Sequence, residues 1–128
     1  MTRLAGGLIL LAALTLGGAS AIHFGLVLDD RFAGAAAPEG ILGVILFGGW
    51  LAPTLAGRRM HAVALGAATL ALLGTIYGLS VTLGSARTGD VVYHFTLLAM
   101  LLAATALLAV PRRAPLRHDH RRAASRSD

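Results

Sequence analysis

Four runs without a single Asp, Glu, Lys or Arg cover most of this chain: residues 4–28, 40–57, 60–86 and 91–111. Each is close to or above the roughly 20 residues that a helix needs to cross the hydrocarbon core of a bilayer. A helix of that length in a soluble domain needs a stripe that can face water, and none of these four carries a charged one. Packed together, such helices would leave a soluble protein without a solvated surface. Composition agrees, with 56% hydrophobic and only 13% charged residues, where soluble domains sit nearer a quarter charged. The sequence therefore predicts an all-α membrane protein with four transmembrane helices.

Charges, glycines and prolines punctuate the runs. The expected spans are about 4–28, 40–57, 60–84 and 91–110, which together form a transmembrane domain over residues 1–111. Asp29, Asp30 and Arg31 close the first span, and a polar loop through Pro38 and Glu39 leads to the second. Gly57-Arg58-Arg59 is a tight turn into the third, and Arg87, Gly89 and Asp90 mark the loop before the fourth. Pro111 cannot continue a helical hydrogen-bond ladder. Residues 112–128 are basic, nearly free of large apolar side chains, and expected to be a disordered tail. Short loops favour antiparallel neighbours, so an up-down-up-down bundle is expected.

Arginine sets the orientation. Arg3, Arg58, Arg59, Arg112, Arg113, Arg117, Arg121, Arg122 and Arg126 fall on one side, nine of the eleven; only Arg31 and Arg87 fall on the other. The positive-inside rule then puts both ends in the cytoplasm, N-in and C-in, with acidic outer loops. Every basic residue other than His is Arg, and Ala and Gly abound, which points to a high-GC bacterial source and hence the bacterial inner membrane. The competing reading of the first span is a signal peptide: Met1-Thr2-Arg3, an apolar run, and Ala19-Ser20-Ala21 as a cleavage site. The apolar stretch continues past that point through Leu28, which favours an uncleaved span. The absence of Cys excludes disulfides, thiolate metal sites and thiol redox chemistry.

In lipid, close backbone contact and polar bonds hold helices together. Gly17, Ala21 and Gly25 at four-residue spacing offer one smooth face, and Gly74-x-x-x-Gly78 another. Close packing is the simplest role for all five. Trp50 near the cytoplasmic boundary is expected to anchor its helix at the interface. The threonines, Thr54, Thr69, Thr75, Thr82, Thr96 and Thr105, are expected to bond back to their own helices.

Ionisable residues within a span are costly, so they are the first functional candidates. His23 lies five residues before the outer end of the first span and His94 in the first turn of the fourth. Tyr77 lies about 12 Å deep in the third at ~1.5 Å per residue. Asp29, Asp30, Glu39, Asp90 and Tyr93 stand at the same outer rim. Asp90 and His94, four apart, share a helix face, and a carboxylate bonded to one ring nitrogen fixes the tautomer of a histidine. The candidate ligand, metal or proton site is therefore His23, His94, Asp90, Glu39 and Tyr77. The plainer reading is that these groups bond across helices or reach lipid headgroups. Haem at His23 and His94 is a further alternative, which needs two axial ligands opposed across a pocket.

His118-Asp119-His120 in the basic tail reads as part of a solvated orientation signal, or as a contact for anionic lipid headgroups. No aromatic residue interleaves with the tail's arginines, so nucleic acid is not an expected partner. No phosphate-binding glycine loop, His-Glu-x-x-His pair or Gly-x-Ser-x-Gly turn occurs, and no enzymatic activity is expected. Ser20-Ala21-Ile22-His23-Phe24-Gly25, then an acidic stretch and Gly40, resembles a pattern in small four-span membrane proteins of actinobacteria, in which a histidine closes the first span. The resemblance covers about a third of the chain, departs from the pattern in the loop, and implies no activity. Small multidrug transporters are similar in size and span count, but the first span here lacks their embedded Glu. Two functions are thus expected: an accessory or structural membrane component, and a ligand-, metal- or proton-handling site at the outer leaflet. Transport through the latter would require a homo-oligomer, since a single bundle of this size has little room for a pore.

Overall fold

The computed structural model describes residues 1–29, 31–84 and 88–110. Asp30, Arg87 and the tail with His118 and His120 lie outside the described residues. The rest is all-helical: α1 (Arg3–His23), α2 (Ala33–Ala56), a single 3-10 turn (Gly57–Met60), α3 (His61–Thr82) and α4 (Thr88–Ala109). The four long helices contain 21, 24, 22 and 22 residues. At ~1.5 Å per residue each is about 32–36 Å long, enough for a bilayer core of about 30 Å. All four are also apolar enough to cross one.

Burial is arranged for an apolar surround. Large side chains such as Leu11, Leu14, Val44, Phe47, Leu73 and Leu102 face outward, while six polar residues, Ser20, His23, Glu39, Thr75, Thr82 and His94, are buried. The core is built largely of small residues. α1 buries Ala5, Ile9, Ala12, Ala13, Leu16, Ser20 and His23 on one stripe, and α4 buries His94, Leu97, Leu101, Ala104 and Leu108. These steps of three and four residues keep one helix face inward. α3 offers almost only Ala and Thr: Ala64, Ala67, Ala68, Ala71, Thr75 and Thr82. α1 packs on α2 and α4, and α3 packs on the same two, which closes a ring of four.

Three boundaries differ from the sequence expectation by three residues or more, the end of α1 and the starts of α2 and α4, and all bear on the site. α1 ends at His23 rather than Leu28. Phe24 caps it, Gly25 takes φ +73°, and the Gly25 and Leu26 amides bond back to the Ile22 and Ala21 carbonyls at 2.8 and 2.9 Å. This is a Schellman end, in which a glycine in the left-handed region terminates the helix. Gly25 is therefore a helix stop and not part of a packing face with Gly17 and Ala21. The chain then returns to the helix end, where the Phe32 amide donates to the His23 carbonyl at 3.0 Å.

The second difference is the start of α2. It begins at Ala33, seven residues before Gly40, and takes in Pro38 and Glu39. Pro38 falls in the second turn, where its missing N–H leaves the Gly34 carbonyl without its usual donor. The helix gives no sequence signal at its start, because Phe32 makes no side-chain capping bond. Glu39, expected in a watery loop, thereby becomes a residue of the bundle interior.

Glycine packing also differs in detail. A Cβ on Gly17 would meet nothing within 4 Å; the close approach between α1 and α2 is made by Gly43, whose Cβ would lie 3.2 Å from both the Ala13 oxygen and the Gly17 nitrogen. Gly74 lies against Leu42, and Gly78 lies against the His94 ring. Thr54, Thr75, Thr82 and Thr96 bond to carbonyls of their own helices, whereas the Thr105 hydroxyl is buried without a partner.

Candidate functional site

The buried polar residues gather at one end of the bundle. His23 is the last residue of α1, and Glu39 and His94 each lie six residues inside the start of their helices. Six residues amount to about 9 Å of helix, so both are beyond the first turn. His94 is correspondingly deeper than expected, because α4 starts at Thr88.

His23 and Glu39 form the centre. His23 Nδ1 and Glu39 Oε2 are 2.7 Å apart, and the side chains are only 6% and 8% exposed. The ring of Phe32 meets the imidazole edge-on at 5.8 Å, walling the pair from the loop side. One turn below, the Ser20 hydroxyl donates to the Ala36 carbonyl at 2.7 Å. Gly40 makes room for it, since a Cβ there would lie 2.8 Å from the hydroxyl. Two polar bonds thus tie α1 to α2 at this end.

From the other side α4 brings Tyr93 and His94. The Tyr93 hydroxyl and the His94 ring stand within electrostatic reach of the Glu39 carboxylate, and Asp90 within reach of Tyr93. The two rings of α4 meet edge-on at 4.9 Å. His94 Nδ1 lies 2.7 Å from the backbone carbonyl of Asp90. A carbonyl only accepts, so Nδ1 carries the proton, and in the neutral ring Nε2 is an acceptor. The expected i, i+4 contact is therefore made through the Asp90 main chain. Glu39 Oε1 and the Tyr93 hydroxyl are both buried, and the hydroxyl stands beside the carboxylate as a donor, short of strict hydrogen-bond geometry.

A half-open cavity of about 180 Å³ adjoins this cluster. His23, Glu39 and His94 supply its polar wall, and Leu16, Leu42 and Leu97 most of its apolar floor. Gly74 and Gly78 line it from α3, where Gly74 lies against Leu42 and Gly78 against the His94 ring. Tyr77 and Val81 lie at the mouth. Tyr77 is 72% exposed, so it does not join the buried cluster.

Comparison of the chain with protein-family profiles, with curated proteins and with solved structures finds no match. The chemistry of the cluster must speak for itself. Both imidazoles engage their partners through Nδ1, an arrangement that also orients metal-binding histidines. Among the described residues, however, no three His, Cys, Asp or Glu side chains converge to hold a metal ion. The cavity is also below the roughly 300–1,000 Å³ of pockets that take cofactors or drug-sized molecules. What the site offers is a buried acid–imidazole pair beside a small apolar space.

Sequence reasoning groups His23, His94, Asp90, Glu39 and Tyr77 as the site and puts Tyr93 at the same rim as Glu39 and Asp90 without making it a member; in the structure Tyr93 joins the buried cluster and Tyr77 does not. The spacing of Tyr93 beside His94 was available as a signal, but its direction depends on the rotation of α4. His61 went unmarked. At the opposite end of the bundle its Nε2 lies 2.9 Å from the Leu108 carbonyl, capping the last turn of α4 from α3. Trp50 stands at that end too, half-buried beside Phe47 and Gly6.

Proposed function

We propose that this is a small four-span membrane protein of the bacterial inner membrane whose outer half holds a proton-exchanging small-molecule site. The helices run up-down-up-down with both ends in the cytoplasm and α1 retained as a span. Contact order supports the first statement: the C-terminal end of α1 meets the N-terminal end of α2 at Ser20–Ala36 and His23–Glu39. His61–Leu108 does the same for α3 and α4. The arginine count supports the orientation, and the core residues and His23 that α1 contributes favour its retention.

One observation carries the site. Glu39 is buried beside a cavity, bonded to His23 through one oxygen and with the Tyr93 hydroxyl next to the carboxylate. An acid in the membrane interior is expensive, so a carboxyl kept there beside a cavity, among two imidazoles and a phenol, is the first candidate for a working group. A half-open cavity adjoins it.

Difference infrared spectroscopy tests this on the purified protein in lipid. Between alkaline and acidic buffer the wild type gains a protonated-carboxyl band that Glu39→Gln removes, with helical content unchanged. Identical difference spectra for the two proteins overturn the reading.

A second reading, an accessory or structural component of a larger membrane complex, is favoured by the bracing role of the same end. Ser20 bonds α1 to α2, and the His94 ring fills the space left by Gly78. On that reading Glu39→Gln and His23→Ala lower membrane level and heat resistance, and no carboxyl signal is lost.

A further inference from the structure

We infer that the cavity beside the His23–Glu39 pair is a side-opening slot that takes one acyl chain of a membrane lipid, from the leaflet at the polar end of the bundle. The inference rests on the site reading above, in taking the cavity as a binding place, and names its ligand class.

The slot follows from how α2 and α3 separate. At Gly49 the two helices nearly touch: a Cβ there would lie 2.5 Å from the Ala67 Cβ and 3.6 Å from the Ala64 Cα. Seven residues nearer the polar end, the Leu42 side chain fills the gap to Gly74, where a Cβ would lie 2.5 Å from its Cδ1. At Gly34, eight residues further on, a Cβ would meet the Phe32 ring edge at 3.9 Å and no atom of α3 within 4 Å. The walls of this part are short side chains, Gly34, Ala35 and Pro38 from α2 and Gly78 from α3. None of them can bridge the widening gap. Two helices joined by one tight turn therefore part toward their far ends.

Where the slot opens decides what enters it. The mouth residues Tyr77 and Val81 belong to α3, which ends at Thr82, so Tyr77 lies about 7–8 Å inside the helix end. Leu73 and Ile76 on α3 and Ile41 on α2 are exposed in the same stretch, as side chains that face hydrocarbon. The opening thus meets lipid chains and not water, and a charged ligand would have to cross hydrocarbon to reach it. Glu39 Oε1 and the Tyr93 hydroxyl are fully buried, so they offer an occupant no polar anchor. Selection is left to shape.

The shape is that of a chain. The helical lining runs from Gly34 to Leu42 on α2 and from Gly74 to Thr82 on α3, about 12 Å along the bundle at ~1.5 Å per residue. A compact chamber of about 150 Å³ holds benzene. The space here, about 180 Å³, is drawn out over that length and is correspondingly narrow. Lipid chains lie along the same axis in the bilayer. One chain can therefore enter sideways, with its inner part against Leu42, while its headgroup stays in water. A chain lying there also covers the apolar side of the His23–Glu39 pair.

The test uses the full-length protein in nanodiscs of phosphatidylcholine with a trace of phosphatidylcholine that carries a diazirine midway along one chain. Illumination is followed by peptide mapping of the adducts. The expected result is more adduct at Leu42 and Gly78, in the slot, than at Val44 and Ile76, which are exposed at similar depth on the same two helices. Val81→Trp, which fills the mouth, and Gly34→Leu, where the Cβ direction is free of α3, lose that excess and keep the exterior labelling. Val92→Trp, exposed on α4 and outside the lining, keeps both. The two slot variants act from different helices, so a folding defect in one, seen by circular dichroism, leaves the other to decide. Equal labelling of slot and exterior, or an excess that survives in a folded slot variant, overturns the inference. The site reading fails separately, through absence of the Glu39 carboxyl signal.

Discussion

A methyl group on Gly43 would lie 3.2 Å from two backbone atoms of α1, the Ala13 oxygen and the Gly17 nitrogen, and 3.5 Å from the Leu16 Cβ. Main chain cannot swing aside as a side-chain tip can, so Gly43→Ala must push α1 and α2 apart. Overpacking of this kind typically costs about 1–3 kcal/mol. Gly17 stands on the other side of the same contact, yet its own Cβ direction is open. Gly17→Ala should change stability by no more than about 0.5 kcal/mol, as substitutions away from tight contacts do. Unfolding titrations in mixed detergent micelles measure both, and a larger loss for Gly17→Ala than for Gly43→Ala would contradict the contact described. His94 illustrates the same point in polar form. Its ring is held by the Asp90 carbonyl and rests on Gly78, where a Cβ would come within 2.6 Å of Nε2. Small residues here are spaces reserved for particular neighbours, and a spacing rule alone does not say which partner uses the space.

At the scale of the elements, composition made the four helices legible and left their ends less so. Charge-free length identifies a span because lipid offers no partner to a buried charge, and each of the four runs is largely occupied by one helix. The same criterion failed at Glu39. It treated a charge as the edge of a span, whereas a carboxylate bonded to an imidazole is tolerated inside one. The candidate site was legible as a set of residue types at one leaflet, but its pairing depended on where α2 begins, and Phe32 supplies no capping side chain to reveal it. The end of α1 did carry a signal, since a glycine followed by an apolar residue fits a Schellman stop. Gly25→Ala tests that assignment. A non-glycine residue at φ +73° is strained, and the substitution should cost about 1 kcal/mol. It should also loosen the His23 end of α1, seen as faster exchange of the Gly25 and Leu26 amides. Unchanged stability and exchange would show that the helix continues past His23.

For the whole molecule, the decisive question is which surfaces meet water, because the described exterior is rich in Leu, Val, Ile and Phe along all four helices. The Arg31–Asp29 ion pair at 4.0 Å lies in the α1–α2 loop with side chains 78% and 99% exposed, and such pairs contribute little to stability. Orientation thus rests on the arginines of the loops and ends rather than on packing. The chain has no Cys, so one introduced thiol reports one position. Asp29 and Thr88 are exposed beside the polar end, and Arg59 is exposed at the turn between α2 and α3. With a membrane-impermeant maleimide, Asp29→Cys and Thr88→Cys should label in intact cells, and Arg59→Cys only after the membrane is opened. The reverse pattern would invert the protein and turn the His23–Glu39 cavity toward the cytoplasm. Labelling of positions 29 and 59 from one side would mean that α2 does not cross, and the same result for 59 and 88 would exclude α3. The three thiols together therefore test the two central crossings and the direction in which the buried acid faces.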